Sequence, residues 1–116
     1  MKTFNNAQKQ EESNALWFNH RKKSINPEEV VYLKSCDNYT RFYLSDGKSF
    51  LASSTMKAYE KALISKGAFT RLHRGTLVNL NYLTSIERTK DGHIANLSTG
   101  QKIEVSRRKM RALDLN

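Results

Sequence analysis

The stretch Arg71-Leu72-His73-Arg74-Gly75-Thr76-Leu77-Val78-Asn79-Leu80 sets two arginines and a histidine directly against a run with the composition of a buried strand. A second concentration of cations follows at Lys102, Arg107, Arg108, Lys109 and Arg111, opposed only by Glu104, which is +4 in ten residues. Cations clustered at strand ends suit phosphate neutralisation, because each phosphate contact releases condensed counterions and makes binding steeply salt-dependent. Arginine can also fork onto the O6 and N7 edge of a guanine. The bland reading of any charge run is a solvated face, and composition alone leaves the two near balance. His73 beside Arg74 has the elements of phosphodiester cleavage, but no second acid or base accompanies it.

Other chemistry finds little support. His20, His73 and His93 are the only histidines, and none stands at metal-ligand spacing from another His, Cys or carboxylate. No nucleophile motif and no glycine-rich phosphate loop is present. Cys36 is the single cysteine, so it can form neither an internal disulfide nor a cysteine-based metal cluster. The expectation is a protein that is not an enzyme and that uses no metal and no cofactor.

A chain of 116 residues is the length of one domain. Its formal net charge is +9. In residues 1–14, Lys2 and Lys9 cancel Glu11 and Glu12, so the whole excess lies beyond them, where 18 Lys and Arg face 9 Asp and Glu. A globule this basic attracts polyanions, nucleic acid first and a charged membrane surface second. No apolar run approaches the ~20 residues of a membrane span, and the N-terminus has no apolar signal segment. These features suit the cytoplasm. Residues 1–14 are expected to be a flexible leader or linker remnant, with the folded domain over 15–116.

The elements that must position the cations are mostly strands. Order is expected from Leu16-Trp17-Phe18, followed by a basic turn at His20-Arg21-Lys22-Lys23. Asn26-Pro27-Glu28-Glu29 has a helix-start pattern, with a capping Asn, Pro at the first position and acids in the first turn. Val30 to Leu33 is β-branched and aromatic. Tyr39 to Leu44 alternates, with Arg41 and Tyr43 on one face and Phe42 and Leu44 on the other. Asp46-Gly47, Asp91-Gly92 and Thr99-Gly100 mark hairpin turns. One helix is predicted over 55–64, with Met56, Tyr59, Ala62 and Leu63 on its inner face, a cap from Ser53, Ser54 or Thr55, and Gly67 past its end. Many short strands with one helix leave no room for a helix-turn-helix unit, and no zinc-finger spacing exists. Such a domain grips with loops or strand ends.

The ordered set of motifs resembles the LytTR family, the β-type DNA-binding domain of bacterial transcription regulators. Its marks are Val31-Tyr32-Leu33-Lys34-Ser35-Cys36-Asp37-Asn38-Tyr39-Thr40, the helix from Thr55 through Leu63, the run from Phe69 to Leu83, and Ile103-Glu104-Val105-Ser106-Arg107-Arg108. The similarity spans about Leu16 to Leu115. It implies a mainly β fold of about ten short antiparallel strands in small sheets with one short α-helix. It also implies sequence-specific binding of double-stranded DNA through loops that read successive major grooves, often at directly repeated half-sites, where two copies can sit in tandem.

Base-reading positions of the family correspond to the Asn38-Tyr39-Thr40 loop, Arg74 and Arg108. Gly75, Arg107, Lys109 and Arg111 correspond to phosphate approaches, and His73 is either a loop-fixing residue or a DNA contact. Members often carry Ser at the place of Gly75 and Glu at the place of Lys34. Many also carry an N-terminal receiver domain, as response regulators of two-component systems do. Here only the short leader precedes the similarity, so a stand-alone domain and a fragment of a longer regulator both remain open. An RNA-binding β module is the alternative reading.

The bland expectations are equally specific. Tyr32, Phe42, Tyr59, Phe69 and Tyr82 are expected in the core, with Trp17 as edge or core packing. Leu72, Leu77, Val78 and Leu80 should anchor the segment that presents Arg74. Cys36 should be a half-buried small apolar residue, and Asn79 should satisfy backbone groups at a turn.

Overall fold

Asp46-Gly47 shows how local chemistry starts this fold. Gly47 takes φ +89, a conformation costly for a residue with a Cβ, and the Asp46 carboxylate accepts from the Lys48 N–H at 2.9 Å. The turn pairs two strands into a hairpin, and most neighbouring strands are joined in the same manner. The computed structural model describes residues 16–18, 23–66 and 68–113. The leader, most of the basic turn at 20–23, and Gly67 lie outside the described residues.

Ten strands and two α-helices make up the described chain. In order they are β1 (Leu16–Phe18), β2 (Lys23–Ile25), β3 (Val30–Cys36), β4 (Tyr39–Leu44), β5 (Ser49–Ala52), α1 (Met56–Ile64), β6 (Phe69–His73), β7 (Thr76–Asn79), β8 (Leu83–Thr89), β9 (Gly92–Leu97), β10 (Lys102–Val105) and α2 (Arg107–Leu113). Short 3₁₀ turns at Pro27–Glu29 and Leu80–Tyr82 lead into β3 and β8. The predicted helix-start pattern at Asn26 becomes the first of these turns, where the Asn26 side chain accepts from the Glu28 N–H at 2.9 Å.

All pairings are antiparallel. The central sheet has the order β5-β4-β3-β7-β6, the second sheet β10-β9-β8, and β1 pairs with β2. Both faces of the central sheet are covered. On one face Val30, Leu33, Phe42 and Leu77 pack with Met56 and Leu63 of α1. On the other, Val31, Tyr32, Leu72 and Val78 pack with Ala95, Leu97, Ile103 and Val105 of the second sheet and Met110 of α2. Coverage on both faces explains why β7 is buried at every position. A β-bulge between Val30 and Tyr32 lets Val31 and Tyr32 face the same way, breaking the simple alternation. Tyr32 stacks on Tyr43 with ring centroids 4.2 Å apart, and burial, with Tyr43 beside it, pushes its phenol up to about 12.

The mainly β architecture agrees with the expectation, and four details differ. The tail folds into α2: the Ser106 hydroxyl accepts from the Lys109 N–H at 3.1 Å, capping the helix start, and Met110 anchors it at 3 % exposure. One buried anchor in seven residues leaves too little periodicity to see in sequence. Ala62 is exposed, so the inner face of α1 is Met56, Tyr59 and Leu63. Thr55 occupies the N-cap of α1 without a side-chain bond. Leu80 is 38 % exposed, so Leu72, Leu77 and Val78 alone anchor the Arg74 segment.

Candidate nucleic-acid interface

The two-residue turn Asp37-Asn38 joins β3 to β4, and Cys36 and Tyr39 face each other at its base. Asp37 adopts φ +57, the left-handed conformation that Asp tolerates better than most residues. The turn Arg74-Gly75 joins β6 to β7, and the Gly75 carbonyl accepts from the Ser35 N–H at 2.9 Å. Adjacent strands therefore project both turns from the same end of the central sheet. A third segment joins them from far along the chain. The Ser106 N–H donates to the Leu72 carbonyl at 2.8 Å, which fixes the β10–α2 junction alongside the end of β6. Three segments distant in sequence thus converge, carrying Asn38 and Tyr39, His73 to Gly75, and Arg107 to Arg111.

Asn38, Tyr39, Arg74, Arg107, Arg108 and Arg111 are exposed there, while Lys109 and Gly75 are half-buried. Among the described residues, Arg74, Arg107, Arg108, Lys109 and Arg111 enter no ion pair within the domain. The first turn of α2 holds no acid and three cations, opposite to what the helix dipole favours.

Two cations of the original cluster have other work. Arg71 forks onto Glu60 of α1 with two bonds of 2.7 Å and also donates to the Arg74 carbonyl. Those bonds, helped by the attraction of Arg71 and Lys57, hold the Glu60 carboxyl below its ordinary range despite opposing desolvation. Arg71 is a brace between α1 and the Arg74 turn. Lys102 donates to the Asn96 side chain at 2.7 Å and lies 3.4 Å from Glu87, so it is tied to the second sheet. Nothing local in sequence links Arg71 to Glu60, eleven positions away.

Thr40 requires a correction. It is fully buried, and its hydroxyl donates to the Ser54 carbonyl at 2.8 Å, so it is not part of the exposed surface that could meet a base. The signal was present in the alternation of β4, since the phase that buries Phe42 buries Thr40 as well. His73 makes one contact within its own loop and one across to β10. Its Nδ1 accepts from the Gly75 N–H at 3.4 Å, and Nε2 lies 3.5 Å from Glu104 of β10.

The remaining bland expectations hold where the structure describes them. Tyr32, Phe42 and Phe69 are buried, and Tyr59 and Tyr82 are partly buried against the core. Asn79 donates to the Val30 carbonyl at 3.0 Å and accepts from the Asn81 N–H at 3.0 Å. Cys36 is half-buried. The Trp17 side chain lies outside what is described.

An open groove of about 740 Å³ lies at the other end of β3, between residues 24–29, Lys66, Ala68, Phe69, Asn79 and Asn81. Glu28 and Glu29 line it, a poor match for phosphate. No group of three metal-ligating side chains occurs among the described residues, and no described helix is long and apolar enough to cross a membrane.

Comparison with known proteins agrees with the geometry. The chain is similar over 86 % of its length, with a TM-score of 0.70 and 19 % identity, to the LytTr DNA-binding domain of a methyl-accepting/DNA response regulator from Bacillus cereus, of which 93 % is covered. No curated protein matches. The family model for the LytTr DNA-binding domain matches residues 20–115. With nearly all of the folded chain inside that match, this protein belongs to the LytTR family of DNA-binding domains.

Proposed function

We propose that the domain binds double-stranded DNA sequence-specifically, as the DNA-reading part of a bacterial transcription regulator. The observation that carries this reading is the convergence of the Asp37-Asn38 turn, the Arg74-Gly75 turn and the β10–α2 junction at one end of the central sheet, with exposed arginines that enter no ion pair among the described residues. Arg74 and Arg108 read base edges in successive major grooves, with Asn38 and Tyr39 contributing from the hairpin. Arg107, Lys109, Arg111 and the backbone at Gly75 hold phosphates. Affinity comes mainly from the phosphates and selectivity from the few base contacts. Operators with directly repeated half-sites would seat two copies in tandem.

Support for Arg74 as a reader lies in its mounting. Leu72 and Leu77 are fully buried on either side of the turn, and Arg71 holds the Arg74 carbonyl. A turn fixed in advance loses less entropy on binding.

The test begins with selection from a pool of random duplexes, which yields a motif and its half-site spacing. Arg74→Ala and Arg108→Ala should each cost about 1–3 kcal/mol on that motif and much less on random duplex. Lys109→Ala should weaken both duplexes alike. Selection without enrichment, or an Arg74→Ala variant with intact sequence preference, overturns the reading. Stronger competition by structured RNA than by duplex of equal charge would point to RNA instead.

A further inference from the structure

Across the central sheet, one row of paired positions crosses four strands just inside the loop ends. Arg41 on β4 faces Lys34 on β3, Lys34 faces Thr76 on β7, and Thr76 faces His73 on β6. Directly opposed residues in an antiparallel pair point to the same face. Tyr32, Tyr43 and Val78, on the same sides of their strands, contact the second sheet and α2, so the row lies on the α2 side. Strands lie about 4.8 Å apart, so the row spans about 15 Å and ends beside Arg74.

Lys34 and Arg41 are like charges set directly opposite each other, an arrangement that destabilises a strand pair. Lys34 is exposed and Arg41 half-buried. Neither has a carboxylate within ion-pair distance among the described residues; Arg41 has only the Ser49 hydroxyl at 3.3 Å. Two flexible cations without counter-charge, on a row that continues the loop cluster, form an anion-binding ridge that an external phosphate completes.

We infer that Lys34 and Arg41 form a phosphate clamp that extends the DNA contact from the loop tips onto the face of the central sheet. The inference rests on the DNA-binding reading above. When the loops enter a groove, the flanking sheet face meets the sugar-phosphate ridge, and one phosphate between the two side chains relieves their repulsion. The clamp adds affinity to any duplex and carries no sequence information. It also ties free-protein stability to DNA affinity in opposite senses, because a carboxylate at position 34 would satisfy Arg41 internally.

Fluorescence anisotropy with a random-sequence duplex over a salt series tests this, using wild type, Lys34→Gln, Arg41→Gln, Lys34→Glu and Arg74→Ala. Loss of a phosphate contact should flatten the slope of log K against log salt by about 0.9. Lys34→Gln and Arg41→Gln should each flatten it, while leaving unchanged the ratio of selected-motif to random-duplex affinity. Lys34→Glu should weaken DNA binding further and raise the Tm of the free protein. Wild-type slopes in both glutamine variants would overturn the clamp, as would a glutamine variant that alters sequence preference. The Arg74→Ala arm separates the two failures. If it abolishes preference while the glutamine variants keep the wild-type slope, the clamp alone fails; if preference survives it, the loop reading fails.

Discussion

Replacing Glu60 with glutamine tests whether the Arg71 brace controls both stability and the readiness of the Arg74 turn. Glutamine keeps the volume and one acceptor but removes the charge. The pair has two bonds of 2.7 Å and side chains 34 % and 23 % exposed, so it lies between two reference cases. Exposed ion pairs contribute about 0.2–1 kcal/mol, and hydrogen bonds to charged groups about 1.5–3 kcal/mol. A loss of about 1–2 kcal/mol follows for Glu60→Gln. For a domain near this size each kcal/mol lowers Tm by about 4–8 °C. The same guanidinium holds the Arg74 carbonyl. Fixing one backbone residue costs about 1–2 kcal/mol, and if half of that cost moves to the binding step, Kd for DNA rises about two- to fivefold.

The pH dependence gives a second handle. The folded state lowers the Glu60 pKa from 4.5. The stabilisation is therefore complete above the unfolded value and lost as pH falls through the folded one. Urea denaturation should show wild type well above Glu60→Gln at neutral pH, with the two converging in acid. A gap of the same size at neutral and acid pH would refute the electrostatic account. Unchanged DNA affinity in a destabilised variant would refute the coupling to the Arg74 turn.

Two further substitutions probe the loop cluster. Thr40→Val removes the bond to the Ser54 carbonyl and should cost about 1 kcal/mol in urea denaturation while leaving the motif recovered from duplex selection unchanged; an altered motif would return Thr40 to the interface. At Gly75 the backbone is not in the left-handed region and a Cβ would meet nothing within 4 Å. Gly75→Ser should leave Tm within about 1 °C and strengthen binding to random and selected duplexes alike, as anisotropy would show, by adding a hydroxyl beside the phosphates.

Residues that act on near neighbours were legible in the chain. The Asn26 cap, the Asp46-Gly47 turn and the apolar spacing of Met56, Tyr59 and Leu63 depend on contacts within a few positions. So does the concentration of cations around 71–74 and 102–111. Residues whose partners lie across the fold were not legible. Arg71 and Lys102 looked like free cations until Glu60, Glu87 and Asn96 were seen beside them. The bulge between Arg71 and His73 sends Arg71 toward α1 and His73 toward β10, a reversal of phase that no periodicity records.

The amino-acid sequence by itself determined a basic, mainly β domain with its cations at strand ends, because turn chemistry, alternation and charge are properties of short stretches. Tertiary structure decided which of those cations face outward and which brace the frame, and it brought Asn38, Arg74 and Arg108 to one end of one sheet. That choice is made by strand register and by hydrogen bonds such as Ser35 to Gly75 and Ser106 to Leu72. These join segments some thirty to forty positions apart, in a sheet whose two faces are both packed, so no short stretch of sequence records them.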